Sequence, residues 1–203
     1  MTESPWRTRR LAAIAAMGTV LLGAGSGGAA PSQTAMGRGA AITALAEPNR
    51  AGDIPDSQVF IPFVSRAGGY ELQVPEGWAR TVQGSNVRFT DKLDGVAVTM
   101  TRAASPVTAA RNRSTIVADI KRSASGVRVT SLHDVRLPAG AAVLVTYTSD
   151  SAIDPVTGRR VRLEDHAYLF FRGGRQAVLT LWAPVGADNA DQWTRIAQSF
   201  RWL

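Results

Sequence analysis

The chain has two histidines, His133 and His166, and no cysteine. A nucleophile poised by an imidazole would have to use one of those two, and no G-x-S-x-G elbow is present to present a serine. His166 sits in the run Leu163-Glu164-Asp165-His166-Ala167-Tyr168. Strand alternation there puts Arg162, Glu164 and His166 on one face and Asp165 on the other. A divalent metal could take Glu164 and His166 as neighbouring ligands, with His133 or Asp134 completing the set. Any solvated strand face shows the same pair, so a hydrogen-bonded or exposed histidine is the stronger reading. Carboxylate pairs for glycoside chemistry could be drawn from Asp91, Asp94, Asp150, Asp154, Glu164 and Asp165. Most of these fall in turns, where Asp binds backbone N–H groups without any catalytic role. Gly68-Gly69 and Gly173-Gly174 lie between extended segments, and no G-x-x-x-x-G-K phosphate loop occurs.

The sharpest charged feature is Arg159, Arg160 and Arg162, following the loop Asp150 to Gly158. Such a run could hold anionic lipid headgroups or cell-wall polyanions, each near-surface arginine contributing about 1 kcal/mol at most. Asp150, Asp154, Glu164 and Asp165 are close enough in sequence to neutralise it. Trp78, Trp182 and Tyr147 could line an aromatic ligand pocket, although aromatic core is the better expectation. The absence of cysteine removes disulfides, Cys-ligated zinc, iron–sulfur clusters and a lipidated cysteine. These observations lead us to expect no catalytic residue, no metal and no cofactor.

The elements that would position these residues begin after a distinctive N-terminus. The 203 residues carry 23 basic and 16 acidic side chains, a net +7, with 45% hydrophobic residues, which is the composition of a globular chain rather than a disordered one. Basic residues 7, 9 and 10 precede the apolar run Leu11 to Leu22, and a Gly- and Ala-rich stretch follows. That order is an export signal, read as residues 1–30. The apolar run is shorter than the roughly 20 residues a membrane span needs, which favours cleavage, after Ser26 or Ala29. Residues 11–37 hold no charge, so retention as an uncleaved anchor is the alternative. Either way, the positive flank puts the rest of the chain outside the cytoplasm, secreted or membrane-anchored. Residues 31–56 read as a flexible linker. Export and the lack of a strong basic field with stacking aromatics argue against nucleic acid.

From residue 57 onward, β-branched and aromatic runs alternate with Gly, Asp and Pro. Extended segments are predicted at 58–65, 70–74, 86–90, 96–102, 127–137, 141–149, 161–171 and 176–183. Pro62 assigns the first to a sheet edge. Asp94-Gly95 is expected to make a turn, and Arg172 to Arg175 a tight hairpin. Residues 105–126 have helical texture, as one helix or two, with Ser105 or Ser114 as cap and Gly126 as stop. A last helix over about 189–199 sets Trp193, Ile196, Ala197 and Phe200 in one stripe. The pattern predicts an α+β fold: a single layered domain, residues 57–203, of mainly antiparallel β-sheet flanked by two helices.

Particular landmarks, Tyr70, Val74-Pro75, Gly77-Trp78 and Ser199-Phe200, give a strand, a P-x-G-W turn and a closing helix. In these the chain resembles the PsbP-like domains of exported bacterial proteins, a Mog/PsbP-type fold, over nearly all of 57–203. The resemblance implies a non-enzymatic accessory or interaction module of the cell envelope, with an envelope or membrane protein as partner, for example in a transporter complex. The missing cysteine departs from the lipid-anchored members. A small-molecule or lipid-binding extracytoplasmic protein is the alternative.

Overall fold

In the computed structural model of the chain, residues 51–203 are described. The expected export segment 1–30, and residues 31–50 of the expected linker, lie outside the described residues. The elements run β1 (Phe60–Ser65), β2 (Tyr70–Pro75), β3 (Ala79–Gln83), β4 (Asn86–Asp91), β5 (Asp94–Arg102), α1 (Ala109–Ser123), β6 (Ser125–Leu137), β7 (Gly140–Asp150), β8 (Arg162–Arg172), β9 (Arg175–Pro184), α2 (Ala190–Ser199) and β10 (Arg201–Trp202). Among the described residues these form a three-stranded sheet in the order β1-β2-β10 and a seven-stranded sheet in the order β3-β4-β5-β9-β8-β7-β6. Every strand pairing is antiparallel. The α+β architecture expected from the sequence is therefore present, with the helices on opposite faces of the large sheet.

Alternation along the central strands accounts for that sandwich. In β8, Tyr168 and Phe170 belong to a core shared with α2 and the small sheet, while Ala167 and Leu169 belong to a second core under α1. A strand buried on both faces needs a cover on each. α2 supplies one with Trp193, Ile196, Ala197 and Phe200, the stripe read from the sequence, all buried. α1 supplies the other with Ile116 and Ile120. Ile54 is also buried, so residues 52–56 pack against the domain and the folded body begins before residue 57.

Local signals held where the chemistry was specific. β1 is an edge strand, as Pro62 requires. Arg172 pairs with Arg175 across Gly173 and Gly174, whose φ angles of 57° and 73° suit the mirror-image hairpin turn. Elsewhere the structure corrects the sequence. Asp94 and Gly95 lie inside β5, and the β4–β5 turn is Lys92-Leu93, closed by the Asp91–Asp94 pair. α1 is a single helix capped by Thr108, whose hydroxyl accepts from the Arg111 N–H. It stops at Ser123, and Gly126 lies in a bulge of β6.

Gly95 is there for space. A Cβ on it would fall 1.7 Å from Cζ2 of Trp182, its cross-strand partner, so the indole lies flat on bare backbone. Arg88 stacks over the same indole, 4.4 Å from its centroid. Gly95→Ala is expected to displace Trp182 and destabilise the domain by about 2 kcal/mol or more. Urea unfolding followed by tryptophan fluorescence measures it.

Candidate functional site

The arginine run sits where the loop between β7 and β8 returns to the sheet. Arg162, half-buried, donates to Asp150 Oδ1 at 2.8 Å, to the Gly126 carbonyl at 2.6 Å and to the Thr148 hydroxyl. Arg160 donates to the Ser151 carbonyl at 2.6 Å and to Ser125 Oγ at 3.3 Å. These two guanidiniums fasten the bulged start of β6 to the loop. Arg159 is exposed, and its carbonyl accepts from the Asp154 N–H. Asp154 is occupied as a turn carboxylate: it accepts from the Val156 and Thr157 N–H groups and the Thr157 hydroxyl, which hold it below its usual value.

The loop adjoins a wider basic region. From α1 to the start of β8 (residues 109–162) there are nine basic residues against four acidic ones, while the other described residues carry nine against ten. The domain's positive charge is thus gathered at one end of the large sheet. α1 packs on β6 there, with Arg113 donating to the Leu132 carbonyl at 3.1 Å. Arg111, Arg113, Lys121, Arg122, Arg128 and Arg136 are exposed along α1 and β6, beside Arg159 and Arg160. Among them Arg122 pairs with Asp119 on α1 itself. The sequence run marked only the tail of this field; helix packing brings α1 to it.

The histidine constellation divides. His166 meets Glu164 at 3.3 Å and sets its ring edge-on to Trp193, 4.7 Å between centroids. Burial holds the imidazole below its ordinary value, against the opposing pull of Glu164. His133 is exposed on β6, and Asp134 is committed to the start of α1, accepting from the Ala109 N–H at 2.8 Å. Among the described residues no group of three or more His, Cys, Asp or Glu is arranged to hold a metal.

A polar pair the sequence did not mark lies on the α1 face. Asp165 and Ser149 are both buried, with Ser149 Oγ donating to Asp165 Oδ2 at 2.6 Å. Asp165 stands between Tyr147 and Trp182 in the strand register. So two members of the suggested aromatic pocket are near neighbours here, while Trp78 packs on the opposite core. Tyr147 and Trp182 are themselves almost fully buried.

Neither a protein-family model nor a curated protein sequence matches the chain. Solved structures do. Cyanobacterial PsbP (CyanoP) of Synechocystis sp. PCC 6803 superposes with a TM-score of 0.51 at 15% identity, covering 75% of this chain and 98% of that one. The Saccharomyces cerevisiae Ran-binding protein Mog1p gives 0.49 at 9% identity, covering 71% and 96%. The first likeness shows the fold: this domain is of the PsbP type, as the landmark residues led us to expect.

Two measurements separate structural from surface roles. Arg162→Ala should cost about 1–2 kcal/mol in denaturant unfolding, because it strips three partners at once, while Arg159→Ala should stay within about 0.5 kcal/mol. For His166, the unfolded chain takes up a proton near pH 6.5 while the folded imidazole resists it. Its contribution to stability is therefore full above that pH and is lost as pH falls towards the folded value. His166→Gln should remove that part of the acid sensitivity, read as the wild-type-minus-variant difference across a pH series of unfolding curves.

Proposed function

We propose that the chain is an extracytoplasmic, non-catalytic accessory module of the cell envelope, which docks its basic end on an acidic face of a membrane protein complex, such as a transporter. The observation that carries this is the charge segregation: a net +5 over residues 109–162 and −1 over the other described residues. Uneven charge of this kind steers association and orients a small domain on its partner. The order of basic, apolar and small residues at the N-terminus supports export, by secretion or by retention as a membrane anchor. The PsbP-type fold fits an accessory or interaction role. Arg160 and Arg162 would shape the docking loop from within, and Arg159 would face the partner.

Fractionation of expressing cells, with determination of the first residue of the product, tests the location. Recovery of the intact chain in the cytoplasm would overturn it. For docking, a photo-crosslinker placed at Thr115 of α1 should label an envelope protein in intact cells. Copurification with that protein should fall about tenfold or more as salt rises to roughly 0.3 M, where screening shortens to a few ångströms. The triple substitution Arg111→Glu, Arg122→Glu, Arg128→Glu should abolish both. Salt-insensitive capture, or binding to anionic lipid vesicles with no protein adduct, would refute a protein partner at this end.

A further inference from the structure

Two strands from β8 in the large sheet, the start of β5 holds an acidic side chain in an expensive place. Asp94, the first residue of β5, is only 6% exposed, and its Oδ1 has no hydrogen-bond partner. A buried carboxylate oxygen without a donor strongly disfavours the charged form. That oxygen lies against Gly52: a Cβ on the glycine would stand 2.9 Å from it.

Gly52 belongs to a strap, residues 52–56, laid over the end of the sheet and the start of α2. Asn189 holds it with both amide atoms, Oδ1 accepting from the Ile54 N–H at 2.7 Å and Nδ2 donating to the Gly52 carbonyl at 2.7 Å. Asn189 is the residue preceding α2, where its side chain would ordinarily cap the helix, yet it makes no such bond. Asp53 Oδ1 accepts from the Asp188 N–H at 2.9 Å, and Asp56 Oδ1 accepts from Gln192 Nε2 at 3.0 Å. Ile54 is the strap's anchor in the core, 4% exposed.

We propose that Asp94 is a pH-sensitive latch for this strap: the protonated carboxyl lets Gly52 and Asp53 close over the end of β5, and its ionisation drives them off. The charged groups around it favour that outcome. The strap brings Asp53 and Asp56, the β4–β5 turn brings Asp91 and Lys92, and the start of α2 brings Asp188 and Asp191. β8 brings Glu164, whose strand partner is Ala183. Lys92 is the cation of the adjoining turn, while Arg162 of β8, whose carbonyl accepts from the Val185 N–H, spends its guanidinium on Asp150, Gly126 and Thr148. Burial first, then Asp91 and Asp53, push the Asp94 carboxyl up to about 7, with Lys92 opposing. The sign follows. A carboxyl that titrates near 3.8 when released and near 7 when enclosed binds its proton more tightly in the closed form. The strap is therefore firmest in acid, and closure weakens up to tenfold per pH unit between those two values, then levels off. A segment at the entry to the folded domain would thus dock in an acidified exterior and loosen at neutral pH.

Hydrogen exchange of the Ile54 amide reads the strap directly. On the full-length protein, its protection, corrected for the intrinsic pH dependence of exchange, should drop at least tenfold between about pH 5 and about pH 7.5. Asp94→Asn should keep the amide protected at both values. Asn189→Ala should expose it at both while retaining the unfolding midpoint of the α1 side of the sheet, followed by exchange at Val145. The latch is refuted by wild-type protection that does not change across the range, or by an Asp94→Asn protein that keeps the wild-type pH response.

Discussion

Phe200 holds the domain's parts in one place. It is fully buried, stacked on Phe170 at 4.6 Å and 11° and on Tyr70 at 5.6 Å and 21°, with Trp202 edge-on at 5.4 Å. Phe170 belongs to the large sheet, Tyr70 and Trp202 to the small one, and Phe200 itself ends α2. One ring therefore joins three elements that share no backbone ladder. Each aromatic of this size removes roughly 150–250 Å² from water, so the stack outweighs the few polar links beside it. Those links follow its geometry: Ser199 Oγ accepts from the Gln73 N–H at 2.8 Å, and the Tyr70 hydroxyl donates to the Ser85 carbonyl. Burial pushes that hydroxyl up to about 12, which keeps its proton available for the bond.

Because this stack and α2 cover the middle of one face of the large sheet, the other face is left to α1, and the surface chemistry divides accordingly. α1 and β6 carry six exposed cations against two carboxylates; the turn between β4 and β5, the strap and the start of α2 carry six carboxylates against Lys92. The two charged regions do different work. At the basic one, guanidiniums are partly consumed in fastening the loop, as Arg162 shows with its three partners. At the acidic one, Asp94 is enclosed with its Oδ1 lacking a donor.

Much of the architecture was legible because several local signals agreed. Alternation in β8 and β9, the double glycine between them, Pro62 at an edge and the Trp193-to-Phe200 stripe each named an element and its buried side. What escaped had no such signal. β3 is exposed along its whole length, so Ala79 to Gln83 show no apolar period. Asp94-Gly95 has the composition of a turn, but Trp182 needs that glycine inside a strand. The site was less legible than the fold. Arg159, Arg160 and Arg162 were visible as a run, yet their separation into fasteners and an exposed side chain depends on a bulge near Gly126, 36 residues away from Arg162. Asp165 and Ser149, 16 residues apart, become a buried pair only through the β7–β8 register.

The position of β9 has a consequence for how the molecule comes into being. The large sheet consists of β3-β4-β5 on one side and β8-β7-β6 on the other, and β9 is the strand that joins them. It lies late in the chain, at residues 175–184, and its β5 partner is some 80 positions earlier. Until it arrives, each half is a three-stranded meander with an unsatisfied edge and an uncovered apolar face. Such long-range closure is slow and leaves sticky edges open meanwhile. The two halves acquire a common core only when the last third of the polypeptide is in place, so a nascent chain stays pliable almost to its end.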